Sequence, residues 1–339
     1  MLRNTFAALL VDRQINGSQS QATVTELENV DSLPNQGGDL LIRVTHSSLN
    51  YKDGLAVTGK GKVLRKFPIV PGIDLAGVVE EVGESKRYKV GDKVFVTGWG
   101  LGEQVSGGYA GFAKVKTEWV ELIPRGLTAF HCMAIGTAGL TAMLATLSLE
   151  DHEVFPDSGP VLVTGASGGV GSLAISMLAR RQYKVVASTG RVKEQGDYLK
   201  SLGASEILNR EEFSSPSGRP LDSERWAGAI DSVGGETLAS ILRQIKYRGS
   251  VAACGLAGGA TLPSTVLPFI LRGVNLLGID SVMCPSSLRK RAWNRISEEI
   301  DLEKLEKLIQ VIPLDAVPDA SQQILAAKIR GRIVVDMNL

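Results

Sequence analysis

The sequence predicts an α/β protein in which a β-rich domain carries an inserted, doubly wound parallel sheet. Three observations predict it. Residues 1–130 offer short strand candidates punctuated by Gly and Pro, strands alternate with helices from about residue 134, and Arg332–Asp336 reads as one further strand after that alternation. In the first stretch the candidates are Leu40–Thr45, Ala76–Val82, the turn and strand Lys89–Val96, and Gly111–Lys116. In the second, a helical segment Thr137–Leu147 precedes strands at Val161, Lys184–Ser188, Glu206–Leu208, Gly228–Asp231 and Ser250–Cys254. Helices are expected between them over Ser172–Arg181, Lys193–Leu202 and Glu236–Ile245. Such βαβ alternation implies parallel strands with helices on both faces. Asn275–Ile279 reads as a last strand, and Leu288–Glu299 and Leu302–Val311 read as helices. The closing strand is expected to pair back into the first domain. That sets the domains at 1–130 with 275–339, and 131–274.

Composition narrows the function classes. A chain of 339 residues exceeds a typical single core, and 44% hydrophobic with 22% charged residues is globular usage. Lys and Arg total 37 against 36 Asp and Glu, a net charge of +1. That balance gives no overall attraction to nucleic acid or anionic membranes. No uninterrupted apolar run approaches the ~18 residues of a membrane span, and the N-terminus carries no signal-peptide pattern. Cys132, Cys254 and Cys284 are odd in number and scattered, unlike a disulfide framework, so a cytoplasmic location is expected.

The chemistry is written most plainly in Val161-Leu-Val-Thr-Gly-Ala-Ser-Gly-Gly-Val-Gly171, an apolar run entering a glycine turn that opens into a helix. Gly168 and Gly171 are the second and third glycines of a G-x-G-x-x-G spacing, with Ala166 in the first place. The backbone of Ser167, Gly168, Gly169, Val170 and Gly171 is therefore expected to receive a pyrophosphate at a helix N-terminus. About 20 residues on, an NAD site usually carries an acid. Here stand Ser188, Thr189, Gly190 and Arg191, a set suited to a ribose 2′-phosphate. The expected cofactor is NADPH. Arg210, just after the Glu206–Leu208 strand, is expected either to stack on adenine or bind the 2′-phosphate, or to be merely solvated.

Taken in order, these stretches resemble the medium-chain dehydrogenase/reductase superfamily: a GroES-like domain, a Rossmann domain and a return to the first. Within it, the sequence is similar over essentially its full length to the zinc-free acrylyl-CoA reductases, or YhdH-type quinone oxidoreductases. The resemblance is carried by Ser47–Asp53, Thr58–Lys62, Pro71–Gly77, Thr97–Gly100, Gly136–Gly139, Thr164–Gly171, Ala253–Gly259 and Gly278–Met283. It implies NADPH-dependent reduction of acrylyl-CoA to propanoyl-CoA by a homodimer. A quinone or activated-alkene reductase and a non-catalytic NADPH-binding sensor are the alternatives.

Zinc-containing relatives place Cys and His-Glu ligands where this chain has Asn50–Asp53 and Gly72-Ile-Asp74. Residues 80–130 also lack the cysteines of a structural zinc lobe, so no zinc is expected. His46, His131 and His152 stand apart from any ligand spacing. The resemblance points to Tyr51 and Asn50 beside the nicotinamide. Tyr51 is a candidate proton donor or a cofactor packing residue, and Asn50 a holder of thioester or ribose. The tyrosine of many zinc-free relatives falls where this chain has Leu55. Lys52 and Asp53 read as a supporting pair or as solvated loop. Leu256, Ile270, Ser281 and Arg332 are expected as further cofactor contacts, with ordinary packing or turn chemistry as the alternative. Cys254, on an apolar strand, is expected to pack and not to react. Two basic clusters could take CoA phosphates: Lys60, Lys62, Arg65 and Lys66, and Arg289-Lys290-Arg291 with Arg295.

Overall fold

Short β-branched runs broken by glycine turns form the first part of the chain in the computed structural model, which describes residues 5–13, 20–84, 86–214 and 218–339. Strands β1 (Phe6–Arg13) and β2 (Ser20–Leu27) pair as an antiparallel ribbon. Then follow β3 (Leu40–Leu49), helix α1 (Tyr51–Thr58), β4 (Asp74–Val82), β5 (Lys93–Thr97), β6 (Phe112–Val115) and β7 (Glu121–Leu122). Helix α2 (Ala129–Asp151) is interrupted at Gly136, whose φ of 52° and ψ of −159° are not helical.

Strands and helices then alternate. They are β8 (Val161–Val163), α3 (Gly169–Arg180), β9 (Val185–Thr189), α4 (Val192–Leu202), β10 (Glu206–Asn209) and β11 (Trp226–Asp231). After them come α5 (Gly235–Gln244), β12 (Ile245–Ala253), α6 (Leu267–Arg272), β13 (Asn275–Gly278), α7 (Ser286–Glu299) and α8 (Leu302–Glu306). The chain finishes with β14 (Ile309–Ile312), α9 (Val317–Leu325) and β15 (Arg332–Asp336).

Two compact units result, one of residues 1–137 and 306–339 and the other of residues 138–305. In the first, a seven-stranded sheet runs β14-β15-β3-β4-β5-β7, with β6 also on β3. The closing strand lies antiparallel on β3, Ile333 facing Leu49 and Val335 facing Ser47. Two apolar clusters fill this unit, one around Leu9, Leu49, Tyr109 and Ile333, the other around Leu40, Ile42, Leu75 and Val96. In the second unit a six-stranded parallel sheet has the order β10-β9-β8-β11-β12-β13, the doubly wound arrangement expected from the alternation. Its core gathers Leu162, Val186, Ile241, Leu242 and Val251.

Two sequence expectations are corrected. The second unit extends to residue 305, not 274, because β13 hydrogen-bonds to β12 with Val251 facing Leu276, and α7 follows it. The helix expected over Leu302–Val311 stops at Glu306, and Ile309–Ile312 is a strand parallel to β15. Its β-branched residues fit a pleated surface better than a helix. Finally, α2 is long and apolar enough to match a membrane span by length and composition, but 89% of its apolar window is buried, as in a core helix.

Candidate functional site

The two units each contribute a distinct constellation. In the parallel sheet every strand ends on the same edge, and the loops leaving those ends carry most of the nucleotide candidates. The turn after β8 is built by necessity from glycine. Gly165 has φ +57°, and a Cβ on it would lie 2.3 Å from Ser232 Oγ. A Cβ on Gly171 would lie 2.5 Å from the Gly165 carbonyl oxygen, so helix and turn can close only if that position is bare. Gly168 is the N-cap of α3. The amides of Gly169, Val170 and Gly171 open the helix, where N–H groups lack intrahelical acceptors and favour an anion.

Beside this turn the structure assembles a basic cradle. Arg191 is the N-cap of α4; its amide donates to Thr189 Oγ1 over 3.2 Å and its Nη2 to Ser167 Oγ over 3.4 Å. Thr189 pairs with Asn209 across β9 and β10, which brings Arg210 alongside. Gly190 accommodates it: a Cβ there would lie 2.6 Å from Arg210 Nε. Ser167, Gly190, Arg191 and Arg210 thus surround one spot, and their donor set fits a phosphate monoester on a ribose. Ser188 is buried within β9, and its carbonyl accepts from the Ala166 amide.

The remaining cofactor candidates in this unit are spread along the edge. Leu256, in the turn after β12, is 63% exposed, and Ile270 on α6 is 68% exposed. Ser281, just after β13, is buried and accepts from Thr141 Oγ1 at 2.8 Å. Sequence reasoning missed Asp231. Its carboxylate accepts from Thr164 Oγ1 (2.6 Å) and from the Gly234 amide (2.8 Å), tying the ends of β8 and β11 together. Burial pushes its pKa up. An acid closing an apolar strand is the signal that could have found it. Cys254 donates its thiol to the Asp231 carbonyl, and burial raises that thiol to about 12.

In the first unit the polar residues converge below the surface. Asn50 caps α1, and its backbone amide donates to Asp53 Oδ2 over 2.8 Å. Its side-chain Nδ2 lies 3.1 Å from Ser48 Oγ, 3.1 Å from Asp53 Oδ2 and 2.9 Å from Asp74 Oδ2. Its Oδ1 accepts from Arg332 Nη1 at 3.0 Å. Arg332 also donates through Nε to the Ala134 carbonyl and through Nη2 to that of Met133. Asp74 accepts from Ser48 Oγ (2.7 Å) and from the amide and hydroxyl of Thr137. Tyr109 donates to the Ser48 carbonyl. Gly136 is the place where only glycine fits, since a Cβ there would lie 2.6 Å from Asp74 Oδ2 and 2.8 Å from Arg332 Nη2.

Two carboxylates and one guanidinium share this interior. Burial first, and then the Asp74 charge, push Asp53 up to about 7, against the pull of the Asn50 and Ile73 amides. Burial together with both acids holds the Tyr109 phenol well above its ordinary value.

Three expectations change here. Arg332 does not present its guanidinium to a cofactor; it is 2% exposed and commits its donors to Asn50 and two carbonyls. Asn50 likewise has both ends of its amide engaged within the network, so it positions α1 and does not hold a thioester. Lys52 and Asp53 are not a pair: Lys52 Nζ meets Glu103 Oε1 at 2.9 Å, while Asp53 is wholly buried with Asn50 and Ile73. Tyr51, at the first position of α1, remains 43% exposed with its hydroxyl free of protein hydrogen bonds among the described residues.

The zinc positions can be tested by their donors. Asn50 offers an amide and Ile73 an alkyl chain in place of thiolate and imidazole, and both Asp53 and Asp74 are saturated by hydrogen bonds. Among the described residues no group of three or more His, Cys, Asp or Glu is arranged to hold a metal. These residues do not fit a zinc site.

Comparison with known proteins gives a consistent picture. Residues 36–125 match the family described as alcohol dehydrogenase GroES-like domain, and residues 169–298 match the family described as zinc-binding dehydrogenase. The chain is 52% identical to acrylyl-CoA reductase AcuI of Ruegeria pomeroyi, over 98% of this chain and 99% of that one. It is 47% identical to the probable acrylyl-CoA reductase AcuI of Escherichia coli, over 98% and 99%. The crystal structure of the yhdH oxidoreductase from Salmonella enterica in complex with NADP superposes with a TM-score of 0.93. That chain is 47% identical, with 97% of this chain and 99% of that one covered.

Proposed function

The chain belongs to the acrylyl-CoA reductase/YhdH-type quinone oxidoreductase family of the medium-chain dehydrogenase/reductase superfamily, and from that premise we propose that it reduces acrylyl-CoA to propanoyl-CoA without a metal. It is an NADPH-dependent oxidoreductase acting on carbon–carbon double bonds. The observation that carries the substrate reading is the 52% identity to an acrylyl-CoA reductase over nearly the whole of both chains.

NADPH, when bound, supplies the hydride. The residues that would hold it are the α3 N-terminal amides of Gly169–Gly171 for the pyrophosphate, and Ser167, Arg191 and Arg210 for the 2′-phosphate. As the β-carbon of the enoyl thioester gains hydride, negative charge gathers on the thioester oxygen and the α-carbon must be protonated. Tyr51 is the proton source in this reading, because its exposed hydroxyl is uncommitted while Asn50, Asp53 and Arg332 are bound to one another. That buried network keeps the N-terminus of α1, and hence Tyr51, in a fixed orientation. No step passes through zinc, since the donors at Asn50 and Ile73 do not suit it.

The active form in this reading is a homodimer. β13 is an open edge of the parallel sheet, and Val266, Leu271 and Leu276 expose apolar surface on and beside it. The decisive experiment follows NADPH oxidation with acrylyl-CoA, crotonyl-CoA and a quinone in parallel. A strong preference for acrylyl-CoA is expected; turnover of the quinone alone overturns the substrate assignment.

A further inference from the structure

An acyl-CoA carries a 3′-phosphate and a diphosphate at the end opposite its thioester, and the sequence offers two basic clusters for them. The structure separates the two. In the run after residue 288, Arg289 is 1% exposed and donates to the carbonyls of Ser281 and Val282. Arg291 makes a bidentate pair with Asp151, 2.7 Å on each side, and Arg295 pairs with Glu299 and Glu150. Arg291 and Arg295 are thus paired with acids and Arg289 is buried, which leaves Lys290 as the one exposed cation of this cluster without an acid partner among the described residues.

The other cluster is different in each respect. Lys60, Lys62, Arg65 and Lys66 are all exposed, and among the described residues none of their side chains makes a hydrogen bond or ion pair. No acid lies between residues 54 and 73. In a chain of nearly balanced charge, this is a local excess of four positive charges. Yet the loop that carries them is held at several points. Gly59 ends α1 in the left-handed conformation, Gly61 packs against Leu55, the Arg65 amide donates to the Glu103 carbonyl, and Ile69 exchanges both backbone hydrogen bonds with Val11. Glu103, whose carbonyl accepts from this loop, has its carboxylate occupied by Lys52. Four free cations on an anchored loop are pre-organised for a polyanion.

The loop also stands in a meaningful place. It leaves the C-terminal end of α1, whose first residue is Tyr51. Eight helical residues span roughly 12 Å, a distance that an extended pantetheine arm can bridge. We propose that the Lys60–Lys66 loop binds the 3′-phosphate and diphosphate of the coenzyme A thioester, with the acyl end directed along α1 toward Tyr51. This rests on the acyl-CoA reading of the substrate and deepens it.

The test is calorimetric titration of the full-length protein with coenzyme A itself, alongside the kinetic ratio of acrylyl-CoA to acrylyl-pantetheine. In the variant Lys60→Ala/Lys62→Ala/Arg65→Ala, affinity for coenzyme A should fall at least about tenfold. The ratio of kcat/KM for the two thioesters should fall by a similar factor. Raising the salt concentration should weaken the wild type much more than the variant. Lys290→Ala, in the other cluster, should bind as the wild type does, and NADPH affinity checks that every variant is folded. Unchanged coenzyme A affinity in the triple variant, or no coenzyme A binding by the wild type, overturns the proposal. If both proteins reduce acrylyl-CoA equally well, the docking loop falls and the reductase stands. If coenzyme A binds through the loop but acrylyl-CoA is not reduced, the loop stands and the substrate assignment falls.

Discussion

Arg332 donates to the amide oxygen of Asn50 across 3.0 Å, although 282 positions separate the two in sequence. That bond joins the closing strand to the cap of α1 and places a buried guanidinium near two carboxylates. Replacing Arg332 with Leu leaves Asp53 and Asp74 buried without their cation. Loss of one partner from a buried charge group costs about 3–5 kcal/mol. Urea unfolding should report a fall of that size, with Arg332→Lys recovering only part because it cannot reproduce the forked donors.

Stability should depend on pH in a direction opposite to that given by carboxylates held ionised in ion pairs. Asp53 ordinarily titrates near 3.8, but in the folded chain it is raised to about 7. Between those values the folded state keeps a proton that the unfolded state has lost, so stability falls as pH rises through the window. The full effect approaches ~4 kcal/mol. Chemical unfolding at pH 4, 5.5 and 7 should show the decline, and Asp53→Asn should flatten it. A wild-type stability that rises over the same range contradicts the assignment.

The cradle around Gly190 makes a prediction about cofactor choice. Arg191→Ala or Arg210→Ala should weaken NADPH by roughly 10–100-fold, the worth of one charge-assisted hydrogen bond or more, while leaving NADH nearly unchanged. Fluorescence titration with the two nucleotides measures both. Gly171→Ala should instead damage binding of both, because its Cβ would meet the Gly165 carbonyl oxygen at 2.5 Å.

Tyr51→Phe removes the hydroxyl without changing the ring. As proton donor it should cost about 10²-fold or more in kcat with little change in KM. A variant with wild-type kcat would reduce Tyr51 to a packing residue.

Much of this was legible in the sequence, and the residues show why the rest was not. The run Val161–Gly171 and the acid-free stretch Ser188–Arg191 gave local, contiguous signals, and their side chains meet within a few turns of chain. The strand Ile309–Ile312 looks helical in the sequence because apolar residues from Leu302 onward run into it without a turn, and only its pairing with β15 decides. Asn50 and Arg332 each stand out in the sequence, but as residues facing cofactor or substrate. Their actual partner is one another, a contact no spacing rule reaches. Gly136 sits in an apolar stretch that shows no helical break, since the reason for it lies in Asp74 and Arg332.

The return of β15 onto β3 sets an order of events during synthesis. Residues 138–305 are continuous and can complete their sheet while the remainder is still on the ribosome. The unit that contains β1 must wait longer, because its strand β3, although paired with β4 and β6, lacks its third neighbour until Arg332–Asp336 is made. Through that interval Asp53 and Asp74 have no cation to bury beside. A chain cut before residue 332 would therefore keep every strand of the parallel sheet and lose a strand from the other, so truncation there should damage the first unit and spare the second.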